Sequence, residues 1–223
     1  MFDSPFIKTE KRSIDPETKV VFVADAFLEH YQGGAEFTTE ALIEKCPYKF
    51  EKVLARDVDI DLLESGHKAY WVFGNFSTLN TELIPTVVAN MDYSVLEYDY
   101  KYCKWRSPEK HFSATGKECD CNEDIHGKMV SAFYYGAKSL WWMSEKQEKH
   151  YQTIFPFLAE KPSTVLSSVF NDDFFVQLKE LREKYKDTER KGWIVLGSTS
   201  WIKGRDMVFT KACHRILIKG FEM

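Results

Sequence analysis

The stretch Lys19-Val-Val-Phe-Val-Ala-Asp25, leading through Ala26–Gln32 to Gly33-Gly34-Ala-Glu36 and a helix-like run over Phe37–Lys45, decides the fold. An unbroken run of strand-forming residues, then a loop, then two glycines opening a helix, is the layout of a strand whose carboxyl end feeds a helix N-terminus. In open α/β sheets ligands bind at that edge. Glycines there let a ligand approach the main chain, and the free N–H groups of a first helical turn favour an anion such as phosphate. Gly33 and Gly34 are therefore a candidate phosphate seat, with a plain turn as the alternative.

The same alternation continues along the chain. Strands are expected near Phe50–Ala55, Lys68–Phe73, Tyr93–Tyr98, Leu140–Met143 and Val165–Val169. Between them, Phe37, Ala41 and Leu42 recur at helical spacing, and the helix they form ends before Pro47. Asp57 or Asp59 caps a short helix through Leu62-Leu63, with Gly66 as its left-handed C-terminal residue. Thr78–Asn90 reads as helix restarted at Pro85, and Lys128–Lys138 as another. Ser144 and Gln147 match a capping box for a helix that stops before Pro156. Asp172 and Asp173 open a helix with Phe175, Leu178 and Leu181 on one face. Alternating strands and helices predict an α/β fold, a Rossmann-like three-layer domain with a mainly parallel sheet. Residues 1–18 are expected to be an extended arm and residues 19–190 the domain. A charged linker at Tyr185–Lys191 then precedes the start of a second domain over 191–223.

Composition narrows the function. The 223-residue chain is 44% apolar and 29% charged, with a net charge of −4 and both signs interspersed, so no broad basic surface for nucleic acid is expected. No apolar run reaches the ~20 residues needed to span a bilayer. The polar Met1–Lys19 lacks a signal-peptide core, and a cytoplasmic location is expected. Five cysteines, an odd number with two only one residue apart, point to reduced thiols or a metal rather than a disulfide framework.

Gly33-Gly34-Ala-Glu36 after the first strand, followed later by Val195-Leu-Gly197 and Lys203-Gly204, resembles family 4 of the GT-B glycosyltransferases. Arg106-Ser-Pro-Glu-Lys-His111, Cys119-Asp-Cys121 and Leu140-Trp-Trp-Met-Ser-Glu145 are similar to a phage and marine-bacterial subgroup of those enzymes. The resemblance covers residues 19–204. It implies transfer of a sugar from a nucleotide diphosphate donor to a sugar acceptor, with retention of configuration and without a required catalytic metal. It implies that Gly33 and Gly34 face the donor phosphates, that Glu36 lies in the first helical turn behind them, and that Lys203 stands in the donor-side domain near the interdomain cleft. The family's paired glutamates, seven residues apart, have no counterpart in Arg205–Met223. A truncated donor-side domain, inactive alone, is therefore expected. The rival expectation is a binding or scaffolding module that self-associates through apolar surface near Trp193 and Trp201.

Several residues fall at the ligand-bearing edge. Asp99, just past the fourth strand, can position or deprotonate an acceptor hydroxyl, or simply be a solvated or capping carboxylate. Asn75 and Ser77 suit sugar hydroxyls, or a strand-end turn. Tyr98, Tyr100 and Tyr102 alternate and offer an acceptor platform or core packing. Glu145 and Gln147 are explained by capping alone. Cys103, His111, Cys119 and Cys121, with His126 nearby, form a ligand set acceptable to structural zinc, or a group of reduced, partly buried thiols beside surface histidines. His30, His67, His150 and His214 read as isolated surface or cap residues.

Overall fold

Val20–Ala24 (β1) is apolar on both faces, and in the computed structural model, which describes residues 12–189, it lies inside a parallel sheet. It is followed by α1 (Gly34–Glu44), β2 (Phe50–Leu54), α2 (Ile60–Ser65), β3 (Tyr70–Phe73), α3 (Ile84–Asn90) and β4 (Asp92–Glu97). Then come α4 (Pro108–Thr115), α5 (Ile125–Gly136), β5 (Ser139–Trp142), α6 (Glu145–Ile154), β6 (Ser163–Val165) and α7 (Asp172–Lys184). All six strands are parallel, in the order β2-β1-β3-β4-β5-β6. Val20 pairs with both Phe50 and Tyr70, so the chain leaves β1 to one side for β2 and returns to the other side for β3. That reversal makes the gap between β1 and β3 the topological switch point, where open α/β sheets bind ligands. The architecture is the Rossmann-like three-layer arrangement that the alternation predicts.

The period of two along each strand divides the core between two faces. Val21, Val23, Trp71, Phe73, Tyr93, Val95, Leu140 and Trp142 join Leu62, Leu63, Ile84, Val87, Val130, Phe133 and Tyr134 from α2, α3 and α5. The opposite face holds Phe22, Ala24 and Val72 with Phe27 and Ile43, the last from α1. A fully buried side chain of this size contributes about 2 kcal/mol, so the first face carries most of the stabilisation.

Local differences from the sequence reading have physical causes. The last strand is Ser163–Val165 rather than Val165–Val169. It stops there because Leu166 and Ser167 both donate to the Trp142 carbonyl and Ser167 turns left-handed, at φ 62°. Asp59, not Asp57, caps α2, accepting from Leu62 N at 2.8 Å. Gly66 is not left-handed, with φ at −94°. Its requirement is space, since a Cβ there would lie 2.7 Å from the Trp71 ring and 2.9 Å from Ile14. Within residues 12–18, Ile14 sits in the core and Thr18 is buried, its hydroxyl donating to Glu51 at 2.7 Å. The chain divides into two compact units, Met1–Phe175 and Val176–Met223. Lys203, Trp193, Trp201, His214 and all of the expected donor-side segment, 191–223, lie outside the described residues. No helix among the described residues is long and apolar enough to cross a membrane.

Candidate functional site

The carboxyl ends of β1, β3 and β4 converge at the switch point. Asp25, one residue past β1, donates its N–H to the Asn75 carbonyl at 2.5 Å. Its carboxylate accepts from the backbone N–H of Ser77 at 3.0 Å and of Thr78 at 2.8 Å, and from both hydroxyls. This closes the turn after β3 and holds the Ser77 hydroxyl against Asp25. Arg106 reaches the same point from the loop after β4. Its Nε donates to Asp99 at 2.5 Å, Nη2 also pairs with Asp99 and donates to Asn75 Oδ1 at 2.9 Å, and Nη1 donates to Ser77 Oγ at 3.1 Å. The Arg106 backbone is left-handed, at φ 55°. A non-glycine residue in that region carries about 1–2 kcal/mol of strain, and such strain concentrates at functional sites.

Behind this polar rim lies a buried charged layer. Lys101, 3% exposed, sits between Glu97 Oε1 at 3.0 Å and Asp99 Oδ1 at 3.1 Å, with its ammonium over the Phe76 ring. Glu97 also accepts from the Tyr134 hydroxyl. Burial pushes the Glu97 carboxyl up to about 7, against the pull of Lys101. Burial raises Asp99 too, but Lys101 and Arg106 outweigh it and hold that carboxyl below the ordinary range. Gln147 does more than accept in a cap. Its amide donates to the Asp99 carbonyl at 2.9 Å while its oxygen accepts from Met143 N at 2.8 Å, fixing the start of α6 to the site loop.

A cavity of ≈ 310 Å³ opens beside the rim, lined at its polar end by Ser77, Lys101 and Arg106 and on its walls by Phe76, Ile84, Cys103, His126 and Val130. This is the lower end of the size range for small-molecule sites.

Gly33 is the N-cap of α1 and Gly34 its first residue. A Cβ on Gly34 would meet nothing within 4 Å, so the main chain there is open to approach, whereas one on Gly33 would strike Glu36 and Tyr31. Glu36 is buried in the first turn. Asp99, Asn75 and Ser77 come together through Arg106. The tyrosines do not share one platform: Tyr102 is fully buried, Tyr100 stacks on Tyr151, and Tyr98 shares a 2.7 Å hydrogen bond with Thr39 of α1. His150 is no isolated surface residue, because its Nε2 shares a 2.7 Å hydrogen bond with Tyr102.

Cys103, His111, Cys119 and Cys121 also converge. Their four ligand atoms lie within 4.8 Å of one another, and all but Cys119 are buried. The four cysteines of the described residues are free, and burial pushes the Cys103 and Cys119 thiols up. The group can hold a metal ion. His126 stands apart, its Nε2 bonded to the Lys101 carbonyl at 2.8 Å.

Sequence reasoning missed Asp25, Glu97, Lys101 and the role of Arg106. Asp25 was open to detection as a carboxylate directly after the first strand.

No protein family, curated protein or solved structure matches the chain.

Proposed function

We propose that the domain is the acceptor-side half of a nucleotide-sugar-dependent, retaining glycosyltransferase. The observation that carries this reading is the polar rim of Asp25, Asn75, Ser77, Asp99 and Arg106 at the β1/β3 switch point, beside a cavity of small-ligand size. Asn75, Ser77 and Asp99 have the chemistry to bind sugar hydroxyls. Arg106 and the open main chain at Gly34 have the chemistry to meet the anionic oxygens of a departing diphosphate, where negative charge develops during transfer. Asp99 serves to orient Arg106 and an acceptor hydroxyl, since an ion-paired carboxylate of lowered pKa is a weak base. The transfer step calls on no metal in this reading.

That same weakness of Asp99 as a base favours one alternative, a non-catalytic module that binds sugar or nucleotide without turnover. Both readings are tested by titrating the full chain calorimetrically with uridine-, guanosine- and adenosine-diphosphate hexoses, then assaying release of nucleoside diphosphate with a panel of sugar acceptors. The transferase reading expects binding and turnover, with binding weakened more than about tenfold in Arg106→Ala, the loss of a charge-assisted contact. Gly34→Leu should abolish binding with an unchanged circular dichroism spectrum. Binding without turnover selects the module. Absence of binding to all three nucleotide sugars, and to the acceptor sugars titrated in the same way, overturns both.

A further inference from the structure

We propose that Cys103, His111, Cys119 and Cys121 bind a single Zn²⁺ tetrahedrally, and that this ion holds in place the loop that presents Arg106 to the switch point. Zinc bonds of about 2.3 Å to sulfur and about 2.0 Å to nitrogen imply tetrahedral edges of about 3.5–3.8 Å. His111 Nδ1 lies 3.8 Å from Cys103 Sγ and 3.3 Å from Cys121 Sγ, close to those edges. All four donor atoms lie within 4.8 Å of one another, within about 1 Å of those edges, so small side-chain rotations bring them onto one tetrahedron. They are too close to bracket the two irons and two sulfides of a dinuclear cluster. Three thiolates with one imidazole favour zinc among divalent ions. Binding releases three thiol protons, leaving a centre of net charge −1. Four protein ligands leave no position for water, so the role is structural.

The loop itself calls for such an anchor. Eight-residue α4 buries only one side chain, and that side chain is His111. A helix so short is marginal without packing, and α4 has no apolar face to pack. Cys103 and Ser107 bracket Arg106: Arg106 N donates to the Cys103 carbonyl at 2.7 Å, and Cys103 Sγ lies 3.7 Å from the Ser107 carbonyl. On the other side, a Cβ on Gly127 would lie 2.0 Å from the Cys121 carbonyl, so the Cys121 backbone rests directly on α5. The ion would thus tie the Arg106 turn and α4 to a fixed point on the core.

The test is metal content of the full chain, purified under reducing conditions without chelator, by mass spectrometry. The expected result is about one zinc per chain, lost in Cys121→Ser and His111→Ala and retained in Cys46→Ser, whose thiol lies outside the cluster. Should those variants fail to fold, Co²⁺ titration of the metal-stripped wild-type chain gives the same answer, through tetrahedral thiolate absorption bands saturating at one equivalent. Stripping the metal should speed tryptic cleavage at Lys104, Arg106, Lys110 and Lys117 at least tenfold while the sheet remains folded. No zinc and no cobalt uptake overturns the site. Iron with visible absorption overturns its identity, and unchanged cleavage overturns the anchoring role. None of these readouts depends on whether a nucleotide sugar binds.

Discussion

The chain from Val20 to Glu97 and the chain from Tyr98 to Asp124 are adjacent in sequence and are ordered by different chemistry. The first is held by burial: Val21, Val23, Trp71, Phe73, Tyr93 and Val95 are each no more than 1% exposed. The second, apart from Tyr102, is organised around Lys101 paired with Glu97 and Asp99, Arg106 spread over three partners, and the cysteine and histidine cluster. The difference has a reason. A loop over the carboxyl edge of a parallel sheet must leave room for a ligand, so it cannot be fastened by filling that space with apolar side chains.

Variants can break or sharpen this contrast. The largest effect is expected from Phe73→Ala, which removes a ring packed against Trp71, Tyr93 and Phe133 and should cost about 3–5 kcal/mol in urea unfolding. A cost below about 1 kcal/mol would mean that apolar burial is not what holds the sheet. Next, Lys101→Ala leaves Glu97 and Asp99 facing each other without their shared cation and should cost about 3 kcal/mol at neutral pH. In a Glu97→Gln background the same substitution should cost less, and equal costs would show that the pair is not coupled.

The third expectation concerns pH. Glu97, facing Lys101, Asp99 and Tyr134, has its carboxyl raised by burial from 4.5 to about 7. Between those values the folded protein binds more protons than the unfolded chain, so stability is full below 4.5 and declines as pH rises through 7. Asp99, held low, works in the opposite sense and in a separate window, losing its contribution as pH falls below its ordinary 3.8. Urea midpoints measured across pH for wild type and Glu97→Gln should differ in slope between 4.5 and 7, and parallel curves would refute the assignment. The smallest effect compares two caps of one kind. Ser107 and Ser144 each accept from the backbone N–H three residues on, at 3.2 and 3.1 Å. Replacing either by Ala should cost about 1 kcal/mol locally. Only Ser144→Ala should lower the melting temperature of the whole unit, while Ser107→Ala should register in loop proteolysis alone.

The same contrast explains what was legible in the sequence. Strands buried on both faces appear as apolar runs, so Val20–Ala24, Tyr70–Phe73 and Asp92–Glu97 were readable to within a few residues. α4 was not, although Ser107, Pro108 and a left-handed Gly116 supply a complete set of start and stop signals. With one buried residue it has no periodicity to betray it. Asn75, Ser77 and Asp99 were found because they follow strands. Arg106 and Lys101 look like solvated charges in a polar loop, and only the fold brings Arg106 to Asn75. The four metal-binding candidates were visible because cysteines are rare and clustered, while their convergence on one point required α4 to exist.

The strand order has one consequence for how the chain is made. β2 joins one side of β1, and each later strand is added to the outer edge of the one before it, β3 on β1, then β4, β5 and β6 in turn. No strand has to be inserted between two that are already paired. A chain emerging from the ribosome at about 5–20 residues per second can therefore lay down its sheet in the order of synthesis. Hydrogen exchange on chains stalled just before β5, once β4 has cleared the ribosomal tunnel, would read this as protection of β1, β2, β3 and β4 before β5 exists.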